Sequence, residues 1–490
     1  MYKEAIQEAI SMHELPSEWQ SDLLSEAEHV AKKKKTAKYR KDLRKLPFAT
    51  IDGEDAKDFD DAVYCVKNSN GYKLYVAIAD VSFYVQPGSR LDKEAKKRGT
   101  SIYFPETVIP MLPENLSNGI CSLRPNEDRC SMICEMSIDL NGARKKYKFY
   151  SGLINSKARL TYNQVEKHLK KSCIKQSIVH ESIKHLFDLT KLRLKLRNQR
   201  RALEINPKEA MLELNKNKEV KNIIIKKPLF AHKLVEESML LANESAAEFM
   251  HDRFDFGVYR IHEDPDPSKL EILKKHFKIP TQLAKKSSPL EVINKCLQEA
   301  HHKKDDTGQI LVLQTLARAE YSTNNLGHFG LQLNQYSHFT SPIRRYPDLL
   351  AHRMINAALS HKKLGIRQNE LQDECENSSM LERRAEKASR QVEQVLICSF
   401  LKTKIGSTMD GVITGVTDFG LFINLEPYFI SGLLHVSDLP DDRYQFLQDR
   451  NALKGKRRGG IYKLGQKIKV KIAAVFPLER KITLTISNVK

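Results

Sequence analysis

The spacing of apolar and polar positions changes character along the chain, and each change predicts a different kind of element. Over residues 1–31 apolar residues recur at helical intervals, giving two helices broken near Pro16. In the second, Trp19, Leu23, Ala27 and Val30 share one face. From about residue 46 the period drops to two. "DAVYCVK" and "YKLYVAIADVSFYV" (72–85) predict strands joined by the turn "NSNG", and "SMICEMSIDL" with "KYKFYSGLI" predicts a hairpin around Asn141-Gly142. Helical spacing returns over 181–198, 231–251, 310–320 and 345–360, and a long helix over about 370–403 stops at Gly406. The tail alternates again, through "GSTMDGVITGVTDFGLFINL", "ISGLLHVSDL" and "GQKIKVKIAAVFPLERKITLTIS", with Gly at the breaks. Sheet, then helices, then a small β unit describes an α+β protein with an appended barrel. The expected division is a helical, basic linker at 1–45, a mixed sheet-and-helix domain at 46–368, a connecting helix at 369–404 and a five-stranded OB-fold at 405–487.

Composition adds a partner class. The chain has 490 residues, 41% hydrophobic and 29% charged, which is ordinary for a globular protein. Its formal net charge of +20, from 81 Lys+Arg against 61 Asp+Glu, points to a polyanion, nucleic acid first among them. A solvated basic surface is the plainer alternative. The stretch "AKKKKTAKYRKDLRK" (31–45) holds nine basic residues and one acid, and reads either as a solvated linker or as a strip touching RNA phosphates. Eight cysteines without a CxxC pair fit reduced thiols, not a zinc knuckle or a disulfide framework. The charged start "MYKEAIQEAI" is not signal-like, and no run approaches the length of a membrane span. A cytoplasmic protein with no membrane partner is the expectation.

One segment runs against the basic background. "TIDGEDAKDFDDAV" (50–63) gathers six carboxylates, Asp52, Glu54, Asp55, Asp58, Asp60 and Asp61, around one Lys57. Two carboxylates about 6 Å apart repel by roughly 3 kcal/mol at an effective dielectric near 20. Held together they rise in pKa unless a cation compensates. Hard oxygen donors suit Mg²⁺ or Mn²⁺, and Gly53 stands in the wrong place for a calcium loop. The segment is a metal site or an acidic surface turn; residue types alone leave both open.

The same segment, with "VAIADVSFYV", "TSIYFPETVIPMLPENLSNGICSLRPNEDRCSMICEM", "AHKLVEESMLLAN" and "GHFGLQLNQYSHFTSPIRRYPDLLAHR", resembles the ribonuclease II / ribonuclease R family, and ribonuclease R more closely. The likeness runs in one order from about residue 5 to the end, and the tail resembles an S1-type RNA-binding domain. The resemblance implies an RNB catalytic domain that hydrolyses single-stranded RNA processively from the 3′ end to nucleoside 5′-monophosphates, with structured RNA left open. It implies Mg²⁺, with Mn²⁺ as the alternative ion, held by Asp52, Asp58, Asp60 and Asp61. Asp60 and Arg344 become the catalytic pair, with Arg345 as Arg344's neighbour on the RNA. Without the resemblance "SPIRRYPD" reads as a turn opening a helix with arginines in solvent.

Further roles follow from the same likeness. Tyr103 matches an aromatic that stacks on the terminal base, while the opposing position carries Leu212, with Leu214 two on, in place of Phe. Tyr162 and Glu236 match residues that sense the ribose, and Glu386 a glutamate near the exit path; an ion pair with Arg390 is its plain alternative. Phe419, Phe422 and His435, with Tyr444 or Phe446, lie where S1-type domains bind RNA, beside the basic loop "KGKRRGG" (454–460). The family carries two cold-shock domains before the catalytic domain and a Lys-rich tail after it, so a shortened member with a more open RNA funnel and weaker binding is expected. Expected partners are single-stranded RNA 3′ ends, with the ribosome or the RNA-decay machinery as further candidates, and the chain is expected to be a monomer. The rival reading is a weakly active or inactive RNA-binding member of the family.

Overall fold

In the computed structural model the described residues are 1–32, 39–171, 178–205, 210–225, 228–280, 287–303, 305–426, 428, 430–440, 443–447, 451–457 and 459–487. Parts of three sequence expectations lie outside them: residues 33–38 of the basic stretch, 206–209 beside the Leu212 strand, and Arg458 of the basic loop. The larger body is built on a seven-stranded sheet. Its order is Lys41–Asp42, Arg144–Asn155, Asp128–Ile138, Gly71–Ala79, Asp61–Asn68, Ala49–Asp52 and Ala158–Thr161. The central strands are antiparallel hairpins, and the two edge pairings are parallel. In the first hairpin Asn68 faces Gly71 across a two-residue loop. Gly71 has a φ of 133°, and a Cβ there would stand 2.1 Å from the Ile138 carbonyl oxygen, so glycine is required.

One sheet face is covered by the helices His180–Gln199, Phe230–Phe254 and Tyr346–Leu359. Phe149 meets Phe249 at 5.2 Å and Phe339 at 5.3 Å between ring centroids, and Ser245 bonds Met136 Sδ. The helix Gln368–Lys402 has 35 residues and is about 52 Å long at 1.5 Å per residue. Leu371 and Cys375 enter the main core, Ala388 and Val392 pack with Ile102 and Phe104, and Cys398 and Leu401 join the barrel core. The barrel closes over five strands, Thr408–Val416, Gly420–Leu425, Ile430–His435, Lys481–Ile486 and Lys467–Phe476. The fold is therefore α+β with an OB-fold barrel.

Some elements depart from the spacing. The strand expected to run to 85 ends at Ala79, and Val81–Tyr84 forms a helical turn, because Asp80 is tied to Arg40 (2.6 Å) and Ser82 (2.7 Å). The helix expected at 310–320 is Asp306–Thr315, capped by Asp305 on the Gly308 amide, and Glu320–Ser322 is a strand on Tyr259–Ile261. Trp19 precedes its helix and lies 3.5 Å under the Arg98 guanidinium. The two expected N-terminal helices are Tyr2–Met12 and Ser21–Ala31, and further helices lie at Arg90–Arg98, Tyr162–Lys171, Pro267–His276 and Pro289–Lys303. Tyr444 and Phe446 sit in a separate three-stranded sheet beside the barrel, not in its wall. Seven cysteines are free and buried, and Cys173 lies outside the described residues. No helix among the described residues is long and apolar enough to cross a membrane.

Candidate active site

The acidic segment is a loop between the sheet strands Ala49–Asp52 and Asp61–Asn68, held from three sides. Arg159 donates Nη2 to the carbonyls of Gly53 (2.9 Å) and Glu54. The buried Ser122 hydroxyl accepts from Phe59 N (2.9 Å) and donates to Lys57 O (2.8 Å), so both neighbours of Asp58 are pinned. The Ala79 amide takes Asp60 O at 2.8 Å. These bonds keep the carboxylates together against their repulsion.

Asp60 is 5% exposed. Its Oδ1 accepts the Ile343 amide at 2.9 Å, while Oδ2 is buried with no hydrogen-bond partner. Arg344 Nε stands 3.6 Å from that oxygen, close enough for attraction but too far for a hydrogen bond. Burial pushes the Asp60 carboxyl well above its ordinary value, against the pull of Arg344. Asp61 is pushed up to about 7 by burial and by Asp52. Asp52 is raised by burial, with the Gly53 amide lowering it and Asp58 raising it. Each of these groups wants a cation or a proton.

Arg344 comes from the loop before the helix Tyr346–Leu359. Its Nη2 donates to Ser341 Oγ (2.9 Å), and its carbonyl accepts from Ser101 N and Thr100 Oγ1, both at 3.0 Å. That second tie joins the loop to the hairpin bearing Tyr103, whose ring is 43% exposed and whose hydroxyl reaches Asp58 Oδ2 at 3.4 Å. The Tyr162 ring packs tilted against that of His232, 4.2 Å between centroids, and its hydroxyl pKa is raised by burial, then by Asp52 and Asp61. The four aspartates, Arg344, Tyr103 and Tyr162 therefore share one locality.

Other expected residues stand elsewhere. Arg345 turns inward: Nη2 bonds Asp348 Oδ1 at 2.8 Å, and Asp348, fully buried, also accepts the Ser341 amide at 2.8 Å. A cation in that pair shapes the loop and is not free for RNA. Glu236 lies one helical turn beyond His232, bonded to Arg197 at 2.6 Å, in a cavity of about 300 Å³ with Leu203, Ile205, Lys233 and His328. Leu212 faces inward onto the barrel and long-helix clusters, which leaves it unsuited to a clamp against Tyr103. Glu386 is exposed on the long helix with no ion pair among the described residues. On the barrel, Phe419 and Phe422 meet edge-on at 6.1 Å, and Gly420 pairs with His435, so the three expected residues share one outer face.

Among the described residues no three His, Cys, Asp or Glu side chains close on one point to hold an ion alone. The donor set is nonetheless hard oxygen, and the stranded Asp60 Oδ2 is an open ligand position. Mg²⁺ commonly binds through one or two carboxylates with water and substrate phosphate completing its shell. The residues fit such an ion.

A model of the RNB domain matches residues 40–361, and one of the S1 RNA binding domain matches 402–487. The chain is 40% identical to Ribonuclease R of Escherichia coli over 505 residues, covering 98% of this chain and 62% of that protein. It is also 40% identical to Ribonuclease R of Vibrio parahaemolyticus, covering 95% of this chain and 58% of that one. It thus spans about three-fifths of the length of those curated relatives. The structure of Mycoplasma genitalium RNase R in complex with ribose methylated single-stranded RNA superposes with a TM-score of 0.92 at 31% identity, over 98% of this chain and 77% of that one. On these matches the chain belongs to the ribonuclease R family of RNB-domain proteins.

Proposed function

We propose that the chain is a 3′→5′ exoribonuclease that hydrolyses single-stranded RNA to nucleoside 5′-monophosphates, with Mg²⁺ at Asp52, Asp58, Asp60 and Asp61. The observation that carries this reading is the Asp60 carboxylate. Its Oδ1 is fixed by the Ile343 amide, and its Oδ2 is buried, unbonded and 3.6 Å from Arg344. An unpaired buried carboxylate oxygen costs stability, which a structural residue at this place would avoid.

A divalent ion bound there supplies charge neutralisation at the phosphate and an acidified water. Arg344 offers guanidinium donors to the non-bridging oxygens, where charge develops in the transition state, and Ser341 keeps it aimed. The exposed Tyr103 ring provides a stacking surface for the terminal base. Tyr162, against the His232 ring, and Glu236, one helical turn on from His232, supply polar groups for the ribose. The barrel face of Phe419, Phe422 and His435 grips the strand upstream. The linker expected over 1–45 ends sooner, since Lys41–Asp42 is an edge strand of the sheet and Leu43 enters the main core; the divisions at 368 and 404 remain part of this proposal. The partner is an RNA 3′ end.

The test is Asp60→Asn with 5′-labelled single-stranded RNA in Mg²⁺. The wild type should shorten the label stepwise from the 3′ end. The variant should lose at least about 10³-fold in rate with RNA affinity within twofold, since one ligand charge changes and the basic surface does not. Near-normal turnover by the variant would remove the assignment.

A further inference from the structure

The seven-stranded sheet has a second face that the helices do not cover. In cross-strand register it carries Tyr64, Tyr75, Glu135 and Lys148; two residues along each strand come Val66, Lys73, Ser137 and Lys146. Residues 43–48 cover part of it: Phe48 is fully buried and meets one edge of the tyrosine pair, Tyr64 at 6.1 Å and Tyr75 at 6.4 Å, and Leu43 lies over Gly152. The rest is open. Tyr64 and Tyr75 stack at 5.5 Å with 24° between planes. Lys41 and Lys148 stand 4.9 and 5.7 Å from the Tyr150 ring centre, and Lys73 5.9 Å from that of Tyr75.

Glu135, only 5% exposed, organises these cations: it accepts the Tyr150 hydroxyl at 2.7 Å and meets Lys73 at 3.0 Å, Lys148 at 3.2 Å and Lys41 at 3.9 Å. Three ammonium groups on one carboxylate leave two positive charges unmatched. Lys146 adds another, with no acidic partner among the described residues. Lys41 and Lys148 stay more than half exposed. Aromatic rings on an open sheet, ringed by lysines, are suited to stacking bases and neutralising the phosphates between them. The site is separate from the carboxylates: Tyr64 lies three residues beyond Asp61 on the same strand, roughly 10 Å along it, and on the opposite face.

We propose that this face is a second binding site for single-stranded RNA, with bases on Tyr64, Tyr75 and Tyr150 and phosphates on Lys41, Lys73, Lys146 and Lys148. It rests on the reading that RNA is the substrate, and it holds a length of strand distant from the 3′ end.

The test compares wild type, Lys146→Ala/Lys148→Ala and Tyr75→Leu in binding a 30-nucleotide and a 6-nucleotide single strand by fluorescence anisotropy over a salt series. Glu135 keeps Lys73 and Tyr150 in the double variant, and melting temperatures check the fold. The double variant should bind the 30-mer about 10-fold more weakly, with a salt slope shallower by about 1.4 for two lost phosphate contacts. Tyr75→Leu should weaken it about 5- to 10-fold with no change of slope. Hexamer affinity should hold in both. An unchanged 30-mer affinity, or an equal loss on the hexamer, overturns the proposal. Failure of the wild type to shorten either RNA is a separate result, counting against the exonuclease and not against this site.

Discussion

Asp61→Asn should stabilise the metal-free protein while disabling it. Burial and Asp52 push the Asp61 carboxyl up to about 7, against roughly 4 in an unfolded chain. The folded state therefore holds a proton that the unfolded state releases. The stability from this group is greatest below about pH 4, declines as pH rises, and is fully lost above about 7. Three pKa units correspond to about 4 kcal/mol, and partial contact with water reduces the cost to about 2 kcal/mol. An amide cannot ionise, so the variant escapes that cost at high pH. In EDTA at pH 8 it should melt about 4 °C above wild type by calorimetry, at roughly 2 °C per kcal/mol for a chain of this size. At pH 5 the gap should shrink to about 1 °C. Adding Mg²⁺ at pH 8 should raise the wild type more than the variant, because an ion binding the native carboxylates stabilises by mass action. A variant that melts at or below wild type at pH 8 in EDTA would refute the reasoning, since the carboxylate would then be stabilising without an ion.

Arg344→Lys should lower kcat about 10²-fold in single-turnover assays with little change in RNA affinity, because a point charge replaces a planar fork held by Ser341. Asp348→Asn should destabilise by about 3 kcal/mol in urea unfolding, as it leaves the buried Arg345 without its counter-charge and loosens the loop that aims Arg344. Phe419→Ala with Phe422→Ala should weaken binding of a single-stranded 20-mer about 10- to 100-fold in filter binding, while hydrolysis of a tetramer keeps its kcat.

Local spacing made much of the scaffold legible. The run "DAVYCVK" was legible as the strand Asp61–Asn68, and the helical run from 370 fell within two residues of the observed helix ends. The crowd of aspartates raised a metal site on charge alone, with an acidic surface turn left open beside it until the resemblance was drawn. What escaped was long-range pairing, which no local period encodes. Nothing in "SPIRRYPD" says that Asp348 draws Arg345 inward while Arg344 stays out, because the two arginines differ only in which side of the loop they leave. Glu236 needs Arg197 from another helix to define its place. Leu212 stands where the resemblance expects the opposing aromatic, but its inward face was settled by the barrel and long helix packed beneath the hairpin. Tyr444 and Phe446 look like barrel wall by composition, and only their pairing with Ala452–Gly455 sets them apart.

The bond from the Ile343 amide to Asp60 spans 283 residues of chain. At about 5–20 residues per second on the ribosome, roughly 15 to 60 seconds separate the emergence of its two ends. Through that interval the aspartates are already outside the tunnel while the guanidinium that completes their chemistry has not yet been made. If the chain degrades RNA as proposed, a half-synthesised copy leaves the message encoding it intact, and cutting waits for the last part of the larger body.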